Sequence, residues 1–118
     1  MAGSALKMAE TRSGQVCIVA VSGRIDSTNA NDLLTRLNAL LSSGEKILLV
    51  DFTEVVYLTS AAFRVLLVAT DEAERSAARF VLCSVLGQVR ELFEMGGLLD
   101  AFTILGSREE AVAKLGLA

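Results

Sequence analysis

The sequence of 118 residues contains no histidine, no proline and no tryptophan. Without histidine the chain lacks the commonest general base, the usual activator of a nucleophilic Ser or Cys, and the most frequent zinc ligand. Neither the Walker A pattern nor the GxGxxG pattern occurs, so the sequence shows no recognisable phosphate-binding loop. We therefore expect a protein that is not an enzyme and that uses no metal or cofactor.

Charge and hydropathy argue against a nucleic-acid-binding protein and against a membrane-spanning or secreted one. The net charge is −3 and the basic residues form no cluster, which argues against binding to nucleic acid. No apolar run reaches membrane-spanning length, and the N-terminus lacks the apolar segment of a signal peptide. Cys17 and Cys83 stand alone within apolar runs, as buried thiols do in a reducing compartment. We expect a soluble cytoplasmic domain with no direct membrane insertion.

The hydrophobic periodicity predicts one α/β domain over residues 1–118. Strands are predicted at Leu6–Arg12, Gln15–Ser22, Ile47–Val50, Arg79–Ser84 and Phe102–Leu105. Helices are predicted from Ala30 to Leu41, from Ser60, over Val85–Met95 and after Ser107. We expect a mixed sheet of about five strands and four helices, with the helices mainly on one face and the first two strands forming an antiparallel hairpin.

The ends of the helices carry their own signals. Asp26, Ser27 or Thr28 is expected to cap the first helix, and Gly44 to stop it. Gly96-Gly97 is interpreted as a terminator of the third helix, and Ser107-Arg108-Glu109-Glu110 matches the capping-box pattern of the last one.

The stretch Lys46–Ala69 is the centre of the sequence. A strand of branched residues leads to a polar segment, Asp51–Glu54, which we interpret as a break, and then to the short apolar segment Val55–Leu58. Thr59 and Ser60 follow, two hydroxyl residues of the kind that begin helices. The function is expected to lie at this junction.

The helix that begins near Ser60 has one apolar and one polar side at helical spacing. The expected core face consists of Ala62, Val65, Leu66, Ala69 and Ala73, and the expected solvent face of Ser60, Arg64, Asp71 and Arg75. Leu67 and Val68 flank the polar side, so they and Ser60 suggest a small docking surface. The alternative is that the hydroxyls only cap the helix and that the two apolar residues lie under a neighbouring loop.

Three segments in this order resemble one known family. They are Gly23-Arg24-Ile25-Asp26, the stretch from Asp51 to Leu67, and Leu92-Phe93-Glu94-Met95-Gly96-Gly97-Leu98. Their order and spacing, with the last capped helix, resemble the STAS domain, and specifically the stand-alone bacterial anti-sigma factor antagonist.

The resemblance implies a regulatory switch. In the family, an anti-sigma factor that is also a serine kinase binds the antagonist and phosphorylates a Ser at the start of the second helix, and a serine phosphatase resets it. The common family pattern is Asp-Ser-Ser-Gly, whereas this chain has Thr59-Ser60-Ala61-Ala62. Ser60 therefore takes the place of the phosphorylated Ser, ahead of Thr59. We expect the partner to bind at the start and exposed side of the second helix, at Asp26, Thr59, Ser60, Ala61, Arg64, Leu67 and Val68.

Two other functions remain open at this point. One is a constitutive STAS module that is never phosphorylated, as in a phospholipid-transport ABC system or a signalling complex. The other is small-ligand binding, since some STAS domains bind nucleotides or lipids.

Overall fold

The computed structural model describes residues 6–116 and has the predicted order of strands and helices. The elements are β1 (Lys7–Ser13), β2 (Val16–Ile25), α1 (Ala30–Ser42), β3 (Ile47–Leu58), α2 (Ser60–Arg75), β4 (Arg79–Cys83), α3 (Gly87–Met95), β5 (Thr103–Leu105) and α4 (Arg108–Gly116). A short 3-10 turn, Leu99–Ala101, precedes β5 and was not predicted.

The five strands form one sheet in the order β1-β2-β3-β4-β5. β1 pairs with β2 in antiparallel fashion, and every other pair is parallel. The expected mixed sheet and its first hairpin are confirmed. Because parallel neighbours need a crossover, each of α1, α2 and α3 connects one parallel strand to the next.

Both faces of the sheet are apolar, but they are covered unequally. α1, α2 and α3 pack on one face against a large core that includes Val19, Phe52 and Leu82. α4 covers the other face, where Ala111 and Leu115 pack against a smaller cluster of strand residues. Three helices on one face and one on the other confirm the expected arrangement. The same two-sided burial explains why β2 alternates between apolar residues without a polar face.

The predicted break at Asp51–Glu54 is wrong, because β3 runs without interruption from Ile47 to Leu58. β3 places more residues than β2 along their shared ladder: Ala20 pairs with Asp51, but Ser22 already pairs with Glu54. Such a bulge accommodates one extra residue in β3 while the pairing continues on either side of it. The Asp51 Oδ1 atom also accepts hydrogen bonds from the backbone N–H and the hydroxyl of Thr53, at 2.9 and 2.6 Å. Thus Asp51 Oδ1 is satisfied by Thr53 of the same strand.

Some boundaries also differ from the prediction. β1 is shifted by one residue, β4 and β5 are each one residue shorter, and α3 begins at Gly87 rather than Val85. β2 extends three residues further, to Ile25, because its end continues to pair with the end of β3. The pattern shows apolar periodicity but not the tertiary pairing that decides such ends.

The helix-end predictions are confirmed in part. α1 begins at Ala30 with Asn29 at the N-cap position, so the expected cap by Asp26, Ser27 or Thr28 is wrong. Gly44 and Gly97 follow the ends of α1 and α3 with φ of 103° and 68°, values that glycine adopts without strain. The predicted capping box forms in part. The Ser107 hydroxyl accepts from the Glu110 backbone N–H at 3.0 Å, as in a capping box. The Glu110 carboxylate, however, accepts from the backbone N–H of Gly106 rather than from that of Ser107.

Candidate functional site at the start of the second helix

α2 presents the two sides that its sequence predicts. Its buried residues are Ala62, Val65, Leu66, Ala69 and Ala73. Ser60, Arg64, Asp71 and Arg75 are exposed on the opposite side. The expected rotation of the helix about its axis is confirmed.

Thr59 occupies the N-cap position of α2, but its side chain makes no capping hydrogen bond. It lies instead against the end of β2. The Thr59 backbone N–H donates to the Ile25 carbonyl at 3.0 Å, and its hydroxyl points to the same oxygen at 3.4 Å. Neither Thr59 nor Ser60 therefore caps the helix with its side chain. The alternative that the two hydroxyls only cap α2 is wrong.

Ser60 is the first residue of α2 and is exposed. Its neighbours Thr59 and Ala61 are half-buried, so of the two hydroxyls the one on Ser60 is the more open to solvent. At a helix N-terminus the unpaired backbone N–H groups and the helix dipole both favour a negative charge. A phosphate on Ser60 would therefore be compatible with the helix that carries it.

An aromatic cluster lies beneath the first turn of α2. Phe63 packs edge-on against Phe93 of α3, with 4.9 Å between the ring centroids. Phe93 also contacts Phe52 and Phe102, at 6.1 and 5.7 Å. Since Phe93 is fully buried, the cluster anchors the start of α2 to β3 and α3.

Leu67 and Val68 remain partly solvent-accessible, with 40% and 38% of their surface exposed. They lie about two turns beyond Ser60, roughly 10 Å along the helix axis. Within residues 6–116 no neighbouring loop buries them, and Arg64 is exposed between them and Ser60. The structure thus places all these residues on one side of α2, but it separates the apolar pair from the hydroxyl.

Asp26 lies in the loop between β2 and α1, next to the carbonyl that Thr59 contacts. Its Oδ1 atom accepts from the hydroxyl and the backbone N–H of Thr28, at 2.5 and 2.9 Å. These hydrogen bonds, led by that from the hydroxyl, lower the pKa of Asp26. The carboxylate is therefore ionised at neutral pH and held in one orientation near the start of α2.

Arg24 and Tyr57 lie beside the predicted site but were not among the predicted site residues. The Arg24 guanidinium lies over the Tyr57 ring at 4.4 Å from its centroid, and Arg24 Nε is 3.6 Å from Asp26 Oδ2. Arg and Tyr are common in protein interfaces. The segment Gly23–Asp26 was already noted for its resemblance, but the bulge that aligns Arg24 with Tyr57 leaves no signal in the sequence.

A second polar group of side chains lies on the α4 side of the sheet. Arg108 donates from Nε to the buried Asp51 carboxylate at 2.8 Å. Burial alone would raise the pKa of Asp51, but the hydrogen bonds from Thr53 and the Arg108 guanidinium outweigh it and lower the pKa. The pair borders an open cavity of about 440 Å³. The ion pair between Arg108 and Asp51 joins the first turn of α4 to β3.

No group of three metal-ligating side chains occurs within residues 6–116. In the same part of the chain, no helix is both long and apolar enough to cross a membrane. Cys17 and Cys83 are buried and unpaired, and burial raises the pKa of Cys83 to about 11.

A family model described as the STAS domain matches residues 7–111, and the chain belongs to the STAS domain family. BtrV of Bordetella bronchiseptica, a candidate anti-sigma factor antagonist, is 32% identical over 108 residues, which make up 92% of this chain and 93% of BtrV. An anti-sigma factor antagonist from Mycobacterium paratuberculosis has a similar fold, with a TM-score of 0.82 at 20% identity over 92% of each chain.

The anti-sigma factor antagonist SpoIIAA shares the fold in two states. Its unphosphorylated form has a TM-score of 0.71 at 14% identity, covering 96% of this chain and 98% of SpoIIAA. Its phosphorylated form, from Bacillus, also has a TM-score of 0.71, at 16% identity over 93% of this chain and 98% of SpoIIAA. The present chain is therefore a STAS protein that resembles anti-sigma factor antagonists.

Proposed function

We propose that this protein is a non-enzymatic, cytoplasmic partner switch. In its unmodified form it binds an anti-sigma factor that is also a serine kinase. Phosphorylation of Ser60 by that kinase releases the partner, and a serine phosphatase restores binding. The observation that carries the proposal is the position of Ser60, an exposed hydroxyl on the first residue of α2 beside the β2–α1 loop.

The surface around Ser60 supports docking by another protein. It combines the ionised Asp26 carboxylate, the stacked Arg24 side chain and the exposed start of α2. Leu67 and Val68 extend it along the helix with apolar area. A polar rim beside a small apolar patch is the usual composition of a transient interface.

A phosphate would act on this surface rather than on the fold. Phosphoserine carries about two negative charges at neutral pH, which the N-terminus of α2 tolerates. The same charge and volume, placed in an interface that fits a neutral hydroxyl, would cost binding energy through repulsion and desolvation. SpoIIAA matches this fold in both its unphosphorylated and its phosphorylated form, which supports a modification that leaves this kind of fold intact.

Phosphosite mapping tests the proposal directly. The protein is incubated with ATP and each serine kinase of the anti-sigma factor type encoded in the same genome, and the products are analysed by mass spectrometry. We expect modification at Ser60 and none at Thr59, because the Thr59 hydroxyl is half-buried against Ile25. A Ser60→Ala variant is the matched control. Modification at Thr59 alone would overturn the assignment of the site.

A constitutive STAS module is the second candidate. The observation that favours it is the sequence Thr59-Ser60-Ala61-Ala62, in which Ala62 is fully buried where the common family pattern has Gly. A constitutive module would bind a permease or scaffold protein stably, both as the wild-type protein and as the Ser60→Asp variant. No kinase tested would phosphorylate it.

A further inference from the structure

Asn29 stands at the N-cap position of α1, yet its side chain does not cap that helix. Asn is among the best N-cap residues because its side-chain oxygen normally accepts from the first free helical N–H groups. Here the side chain turns back toward the preceding loop, and only 2% of the residue's surface is exposed. Because buried polar groups are almost always hydrogen-bonded, a buried amide that does not cap its helix is expected to have other hydrogen-bond partners.

The amide of Asn29 holds both ends of the short segment Arg24–Asp26. Its Nδ2 atom donates to the Arg24 carbonyl at 2.9 Å, and its Oδ1 atom accepts from the Asp26 backbone N–H at 2.9 Å. The backbone N–H of Asn29 itself donates to the Asp26 carbonyl at 3.2 Å. One side chain thus satisfies a backbone acceptor at the end of β2 and a backbone donor of the residue that follows β2.

The middle of the same segment is held by Thr59, the residue that precedes α2. The Ile25 carbonyl accepts from the Thr59 N–H at 3.0 Å, one residue before Ser60. Asn29 and Thr59 therefore both hydrogen-bond to the backbone of this segment, which comprises the last two residues of β2 and the first residue after it. The segment carries two charged side chains, Arg24 and Asp26, so its backbone position sets where those charges lie relative to Ser60.

We infer that Asn29 is a positioning residue for the docking surface: its buried amide fixes the segment Arg24–Asp26, at the end of β2, against the start of α2. The inference rests on the proposed function for its consequence, which is that Asn29 supports partner binding without touching the partner. Its structural part, the fixed position of this segment, can be tested without any partner.

The Asn29→Asp variant separates positioning from folding. Aspartate has the same size and still offers an oxygen to the Asp26 N–H, but it cannot donate to the Arg24 carbonyl. It is also a strong N-cap residue, so it can turn to cap α1 and offset part of the stability that the loop contacts supplied. Asn31→Asp is the matched control, because it makes the same charge change on the exposed first turn of the same helix.

Hydrogen exchange and amide chemical shifts test the structural half without a partner. In the wild-type protein we expect slow exchange of the Asp26 and Thr59 N–H groups, although both lie at loop positions. In Asn29→Asp the shifts of residues 24–28 and 59–60 should move and the Asp26 N–H should exchange faster, whereas Asn31→Asp should leave them unchanged. Fast exchange of the Asp26 N–H in the wild-type protein, or unchanged loop signals in Asn29→Asp, would overturn the inference.

Binding to the kinase identified by phosphosite mapping tests the functional half, at a temperature where both variants are fully folded. We expect Asn29→Asp to weaken binding by about tenfold and Asn31→Asp by less than about twofold. Equal binding by the two variants, with the loop signals displaced only in Asn29→Asp, would overturn the positioning role. Failure of the wild-type protein to bind any kinase would instead refute the proposed function, and the exchange data would then decide the inference by themselves.

Discussion

The ring of Phe63 meets the ring of Phe93 edge-on, with 4.9 Å between their centroids. This contact ties the first turn of α2, which begins at the exposed Ser60, to α3. Because Phe93 also packs against Phe52 of β3, the backbone that carries Ser60 is held by the core and not by the Ser60 side chain. We therefore expect that a charge added at Ser60 leaves the position of this backbone unchanged.

The first prediction concerns the stability of Ser60 variants. Ser60 is the first helical residue and not the cap, so Ser60→Ala should change the free energy of unfolding by less than about 0.5 kcal/mol. Ser60→Asp should be neutral or stabilising by up to about 0.5 kcal/mol, because an acid near a helix N-terminus is favourable. Urea denaturation followed by circular dichroism measures both. A loss above roughly 2 kcal/mol in either variant would show that the hydroxyl is structural.

The second prediction concerns the apolar pair on α2. Val68→Glu should shift the melting temperature by only a few degrees, since Val68 is 38% exposed, and should weaken kinase binding at least about tenfold by placing a charge in the apolar contact. Calorimetry and titration measure the two effects.

Two control variants, one at a buried position and one at a distant exposed position, accompany Val68→Glu. Val65→Glu places a charge at a fully buried position three residues away, and it should unfold the domain. Ala113→Glu alters an exposed position on α4, on the other face of the sheet, and should change neither quantity. Normal binding by Val68→Glu would remove Leu67 and Val68 from the docking surface.

The third prediction concerns the buried Asp51 carboxylate. Its folded-state pKa lies below its unfolded value, so the folded protein binds fewer protons between the two values and acid favours unfolding. The stability contributed by the ionised group is complete above the unfolded pKa, about 3.9, and is lost as the pH falls through the lower folded pKa. Asp51→Asn should destabilise the protein by about 2 kcal/mol at pH 7, because Arg108 loses its charged partner.

Unfolding free energies from pH 7 down to pH 2 provide the test. The difference between wild type and Asp51→Asn should shrink as the pH drops below the unfolded pKa of the carboxyl. Asp100→Asn, at an exposed position, is the control and should follow the wild-type curve. A difference that stays constant with pH would contradict the assigned ionisation.

The sequence was sufficient for the order of the elements and for the two sides of α2, because these follow from apolar periodicity. It was insufficient where tertiary contacts override local signals. Asp51–Glu54 looks like a break in the sequence, yet bulges and the Thr53 hydrogen bonds carry β3 through it. Asn29 could not be assigned for the same reason, since its partners Arg24 and Asp26 are defined only by the folded loop.

The most direct test compares two forms of the same protein. Protein phosphorylated at Ser60, with the site verified by mass spectrometry, and unmodified protein are each titrated with the cognate kinase by isothermal calorimetry in the presence of ADP. The proposed switch predicts that the phosphate weakens binding by at least about tenfold, while the melting temperature stays within a few degrees. Equal affinities of the two forms would contradict it.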